Sequence, residues 1–128
     1  MSVLIDTSVW VEHFRRRNET LVQLLASDQA LTHPLVLVEL ACGTPPAPRT
    51  RTLRDIGRLR PTQQATWAEV MAFIETEQLY GQGCGSVDLT LLASTRITSE
   101  ARLWTLDRRL SSLARRLDVN WPAHADGV

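Results

Sequence analysis

Three apolar residues in a row, Val3, Leu4 and Ile5, stop on a carboxylate, Asp6, followed at once by Thr7 and Ser8. The run is too short to show alternation and reads as a buried strand over residues 2–5. Thr7 or Ser8 can cap the helix that follows, in which Val9, Trp10, Val11 and Phe14 are the apolar positions. After Asn18, Leu21, Leu24 and Leu25 keep helical spacing through "ETLVQLLASDQ", and "ALTH" is a second strand candidate. Pro34 suits the first turn of the next helix, "PLVLVELACG", which Gly43 terminates. "TPPAPRT" is a rigid connector, residues 50–58 form a basic helix, and "RLRPT" holds a short strand. Thr62 then caps a long helix with Trp67, Val70, Met71 and Ile74 at three- and four-residue steps. "YGQGCGS" is a flexible turn, Ser86 caps "VDLTLLASTRI", and "ARLWTLD" is a strand ending on Asp107. "RRLSSLARRL" is an amphipathic helix and "VNW" a last edge strand.

Strands alternating with helices predict a parallel sheet covered on both faces, an α/β fold. At 128 residues, 44% of them hydrophobic, the chain is expected to be a single domain over 1–128. No apolar run approaches the ~18 residues of a spanning helix, and the N-terminus lacks a signal-peptide pattern. The expectation is a cytoplasmic protein that does not enter the membrane. Cys42 and Cys84 form no ligand motif and read as buried small hydrophobes, not as a disulfide.

Net charge is zero, which excludes an indiscriminate polycation, but all 14 basic residues are arginine and they cluster. Arg15, Arg16 and Arg17 are consecutive, five arginines lie between Arg49 and Arg60, and Arg108, Arg109, Arg115 and Arg116 sit near the end. Such clusters are ordinarily solvated helix faces; beside an acidic site they become candidate phosphate holders.

Two strands end alike, "VLID" at Asp6 and "LWTLD" at Asp107. In an open parallel sheet ligands bind beyond the carboxyl ends of the strands, where strand order reverses. If the two strands are neighbours there, both carboxylates face one crevice. Glu39 and Asp88 lie among apolar residues on predicted helices. Asp6 and Asp107 can each be a helix cap, and Asp88 a first-turn acid favoured by the helix dipole. Glu39 in so apolar a helix needs a partner or a metal.

Together, the four acids suggest one site. Carboxylates ~5 Å apart repel by roughly 3 kcal/mol per pair at an effective dielectric of ~20. A divalent cation relieves this, and oxygen-only ligation selects a hard ion, Mg²⁺ or Mn²⁺. His13, His33 and His124 lack ligand spacing and read as surface or structural residues. Acid-held Mg²⁺ implies phosphate chemistry through an activated water. The absence of lysine excludes a P-loop and a response-regulator receiver, and Ser8 stands where a haloacid-dehalogenase-like phosphatase needs a second Asp. Gly81, Gly83 and Gly85 follow a helix, not a strand, and so fail the dinucleotide context.

"LIDTSVW", Glu39 in the helix before a glycine, "GSVDLTLLAS" and "LWTLDRRL" occur in the order and spacing of a known family. Over nearly its whole length the chain resembles the PIN-domain ribonucleases, in particular the VapC-type toxins of prokaryotic toxin–antitoxin pairs. The resemblance implies a three-layer α/β/α domain with a parallel sheet of about five strands. It implies Asp6, Glu39, Asp88 and Asp107 as the catalytic, acidic metal site; the mechanism expected on it has Asp6, Asp88 and Asp107 as metal ligands and Glu39 completing the shell or orienting water. Thr7, Ser8 and Thr105 are placed to orient those carboxylates. Also implied are Mg²⁺- or Mn²⁺-dependent cleavage of single-stranded RNA, a homodimer, and inhibition by a small antitoxin protein whose segment fills the groove. Arg15, Arg16, Arg108 and Arg109 are the candidate RNA contacts. The rival readings are a catalytically inactive RNA- or protein-binding regulatory module and a metal-dependent nuclease acting on DNA ends. Residues 44–60 match nothing assigned.

Overall fold

A computed structural model describes residues 1–123 of the chain; His124 lies outside the described residues. β1 (Ser2–Ile5) has Val3, Leu4 and Ile5 fully buried, as a continuous apolar run in a sheet covered on both faces must be. It pairs in parallel with β2 (Ala30–Thr32) on one side and β4 (Ala101–Trp104) on the other, and β2 pairs with β3 (Arg60–Pro61). The order is β3-β2-β1-β4 in a four-stranded parallel sheet, so the connections reverse direction between β1 and β4.

The helices are α1 (Thr7–Arg15), α2 (Glu19–Ala26), α3 (Pro34–Cys42), α4 (Arg49–Gly57), α5 (Trp67–Thr76), α6 (Ser86–Arg96) and α7 (Arg108–Arg116). Right-handed crossovers put α1 to α4 on one face of such a sheet and α5 to α7 on the other. The packing follows: α1 against α3 and α3 against α4, then α5 against α6 and α6 against α7. The three-layer α/β/α architecture is as expected, with one strand fewer.

The expected strand at "VNW" is an isolated parallel bridge of Leu103 with Asn120, held by Leu103 N–H to the Val119 carbonyl at 2.7 Å and Trp121 N–H to the Leu103 carbonyl at 2.9 Å. Pro122 follows directly and has no N–H with which to extend a ladder.

Two caps differ from expectation, and at α1 one of the two alternatives is settled. Asp6, not Thr7 or Ser8, is the N-cap of α1. Thr66, not Thr62, caps α5 through a reciprocal capping box with Glu69; Thr62 instead continues the sheet edge, donating its N–H to the Thr32 carbonyl at 3.1 Å. Gly85, not Ser86, is the N-cap of α6, with no side-chain cap. The apolar stripe of α5 also divides: Val70 is buried and Phe73 and Ile74 pack on the core, whereas Trp67 and Met71 remain exposed. Both cysteines are free thiols, but Cys42, at the open end of α3, is exposed and Cys84 only half-buried.

Candidate functional site

Asp6 leaves β1 with its N–H donated to the Trp104 carbonyl of β4 at 3.0 Å, so the first acid is anchored to the neighbouring strand. Its side chain is 5% exposed, and Oδ2 accepts three hydrogen bonds: from Ser8 Oγ at 2.6 Å, Ser8 N–H at 3.2 Å and Thr105 Oγ1 at 2.8 Å. Thr105 in turn accepts from the Asp107 N–H at 3.0 Å, and Ser8 Oγ from the Leu106 N–H at 3.0 Å. The ends of β1 and β4 are thereby laced together at the point where the strand order reverses.

Asp107 is the N-cap of α7, accepting from the Leu110 N–H through Oδ1 at 2.9 Å. Capping does not use up either the Asp6 or the Asp107 carboxylate. Each spends one carboxylate oxygen on structure, and among the described residues the other has no hydrogen-bond partner.

Asp88 lies in the first turn of α6. Burial raises its carboxyl above the usual range, a hydrogen bond with the Gly85 backbone opposes that rise, and the charges of Asp6 and then Asp107 add to it. The three acids therefore share one field. Glu39 is not among the charges acting on Asp88: half-buried on α3, it accepts from Thr7 Oγ1 at 2.5 Å. With Arg15, Val11 and Phe14 it lines a cleft of about 540 Å³. Thr7 thus serves Glu39, while Ser8 and Thr105 serve Asp6.

The donors are all hard oxygens and the trio carries mutually repelling charge, which fits a divalent cation in chemistry. Among the described residues no three His, Cys, Asp or Glu side chains close into a ready-made ion cage.

His33 and Cys84 acquire roles that their spacing did not signal. His33, 3% exposed, caps α3 by accepting the Leu35 N–H on Nδ1 at 3.0 Å, and its Nε2 meets Ser94 Oγ of α6 at 3.1 Å. It ties the helix that carries Glu39 to the helix that carries Asp88. Burial, then the charges of Asp88 and Asp107, push the Cys84 thiol up to about 11, with Arg109 pulling the other way, so this cysteine is no thiolate nucleophile near neutral pH. Its one signal in sequence was its place four residues before Asp88.

Arg15 and Arg16 are exposed at the end of α1, and Arg108 and Arg109 in the first turn of α7. Among the described residues no helix is long and apolar enough to cross a membrane.

A parallel sheet with acids at its reversal point, laced by Ser8 and Thr105, is the arrangement of one class, and residues 3–116 match the family model of the PIN domain. The chain belongs to the PIN-domain family. It is 42% identical over 110 residues to Ribonuclease VapC32 of Mycobacterium tuberculosis strain CDC 1551 / Oshkosh, covering 86% of this chain and 88% of that protein. Ribonuclease VapC32 of strain ATCC 25618 / H37Rv matches equally, at 42% over the same 110 residues.

Proposed function

We propose that the chain is a metal-dependent endoribonuclease of the VapC toxin type, cutting single-stranded or loop regions of RNA. The observation that carries the proposal is the grouping of Asp6, Asp88 and Asp107 in one field at the β1–β4 reversal, in a chain 42% identical to a ribonuclease. Asp6, Asp88 and Asp107 would hold the cation, and Glu39 would complete its surroundings or orient water. Bound there, Mg²⁺, or Mn²⁺ in its place, would supply water activation and neutralisation of charge on the phosphate.

The chain's own residues do the remaining work. Ser8 and Thr105 fix Asp6 Oδ2, which holds the carboxylate in a set orientation. Thr7 fixes Glu39 in the same way. Arg15, Arg16, Arg108 and Arg109 would grip the RNA backbone on either side, which reconciles a neutral chain with a polyanionic substrate.

In this reading the toxin works in the cytoplasm under a cognate antitoxin. An apolar cleft of about 570 Å³, whose lining includes Trp10, Phe14, Leu25, Ile56 and Leu59, offers that partner a seat, and the exposed Val38, Trp67 and Met71 offer surface for a homodimer. The test is cleavage of total cellular RNA by the wild type and Asp6→Asn, each with Mg²⁺, Mn²⁺ or EDTA. Discrete fragments that require both the metal and Asp6 are expected. Intact RNA under every condition, from folded antitoxin-free protein, would move the assignment to a binding module on the same fold.

A further inference from the structure

The first turn of α7 carries a local conflict. Arg108 and Arg109 open the helix, where unpaired backbone N–H groups and the helix dipole repel cations, and no acidic residue shares that turn. Several other arginines are matched: Arg17 with Glu19, Arg54 with Asp55, Arg60 with Asp28, Arg102 with Asp118, whereas Arg15, Arg16, Arg51, Arg58 and Arg96 have no such side-chain partner among the described residues. Arg49 and Arg116 donate to backbone carbonyls. Among the described residues, Arg108 and Arg109 have neither an ion pair nor a hydrogen bond.

Arg109 nevertheless has a defined place. A Cβ at Gly83 would fall 2.7 Å from Arg109 Cδ, 2.9 Å from Nη1 and 3.0 Å from Nε, so the stem and guanidinium lie directly against a bare glycine Cα. Gly83 has φ of +87°, a conformation L side chains rarely adopt. The glycine loop that failed as a dinucleotide motif is thus shaped to the arginine. Gln82, Arg108, Arg109, Ser112 and Leu113 line a pocket of about 250 Å³ with no acid in its wall. Its polar groups are guanidinium, amide and hydroxyl, all able to donate to an anion. The site is adjacent: Arg108 follows Asp107, and the charges of Asp88, Asp107 and Arg109 all reach the Cys84 thiol.

We infer that Gly83 is a positioning residue that seats Arg109 in a phosphate subsite, formed with Arg108 and Gln82, which holds an RNA backbone phosphate beside the one that is cut. The inference rests on the ribonuclease reading and adds to it a fixed anchor for the strand. Arg108 and Arg109 occupy the wrong end of their helix for stability because their charge is matched only when the strand is bound.

The test is binding of labelled random-sequence single-stranded RNA oligonucleotides to the Asp6→Asn chain over a series of salt concentrations. Arg109→Ala should weaken binding roughly tenfold and reduce the slope of log affinity against log salt by about 0.7. Arg109→Lys should restore the slope but only part of the affinity, since the charge returns without the fork. Gly83→Ala should weaken binding alone and have no further effect once Arg109 is alanine. Unchanged affinity and slope in Arg109→Ala would overturn the inference, as would an equal effect of Gly83→Ala with and without Arg109. Failure of the ribonuclease reading would show separately, as wild type leaving RNA intact in Mg²⁺ while strand binding is still measured.

Discussion

Replacing His33 with asparagine removes one titrating ring from the centre of the fold while keeping a side chain that can cap α3. In the structure Nδ1 accepts the Leu35 N–H, so it carries no proton, and Nε2 is free to donate to Ser94 Oγ. Asparagine is a good N-cap but too short to reach Ser94. The loss at pH 7.5 is therefore about 1 kcal/mol for the hydrogen bond and about as much again for the void beside Ser94.

The pH dependence is the sharper signature. Burial lowers the His33 pKa from its usual 6.5, so the folded state prefers the neutral ring. A proton on Nδ1 would abolish the cap. The stabilisation is fully present above about pH 6.5 and is lost as the pH falls towards the folded pKa, at a limiting slope of about 1.4 kcal/mol per pH unit. His33→Asn lacks this slope. Urea midpoints of both proteins between pH 7.5 and 5.0 isolate the effect, because His13, Asp88 and every other titrating group is common to the two and subtracts out. The wild type should lose its advantage as the pH drops. A stability difference that stays flat across that range would refute the assigned tautomer and the cap.

Thr105→Val keeps the volume but removes the donor to Asp6 and the acceptor for the Asp107 N–H. It should cost about 1–3 kcal/mol in thermal or urea unfolding and depress kcat more than KM, and an unchanged melt would show that the bond contributes nothing. The two cysteines should differ in reactivity: at pH 8 a maleimide should modify exposed Cys42 quickly and leave Cys84 slow, its thiol being held near 11. Equal rates, read by mass spectrometry, would contradict that environment.

Local patterns carried much of this protein. The run Val3–Ile5 could only be a buried strand, Pro34 and Gly43 bound one helix at its two ends, and acids at the ends of two strands already pointed to a crevice. Those features depend on neighbours a few residues apart, where backbone geometry and apolar burial act directly. Other features depend on who meets whom across the fold. That β1 lies beside β4, so that Asp6 and Asp107 share a field, follows from the reversal of strand order. The Thr7–Glu39 pair, separated by 32 positions, and the His33–Ser94 pair, separated by 61, exist only after the helices pack. The close approach of Arg109 to Gly83 belongs with them. Spacing also misled where two alternatives were locally equal: Thr62 and Thr66 are both good caps, and sheet pairing at Thr32 claimed the first. Sequence determined most of the strands and helices and which acids lie at strand ends or in apolar helices. Tertiary structure decided which acids share a field, because charge interaction falls off over a few ångströms and the chain brings distant carboxylates that close only by folding.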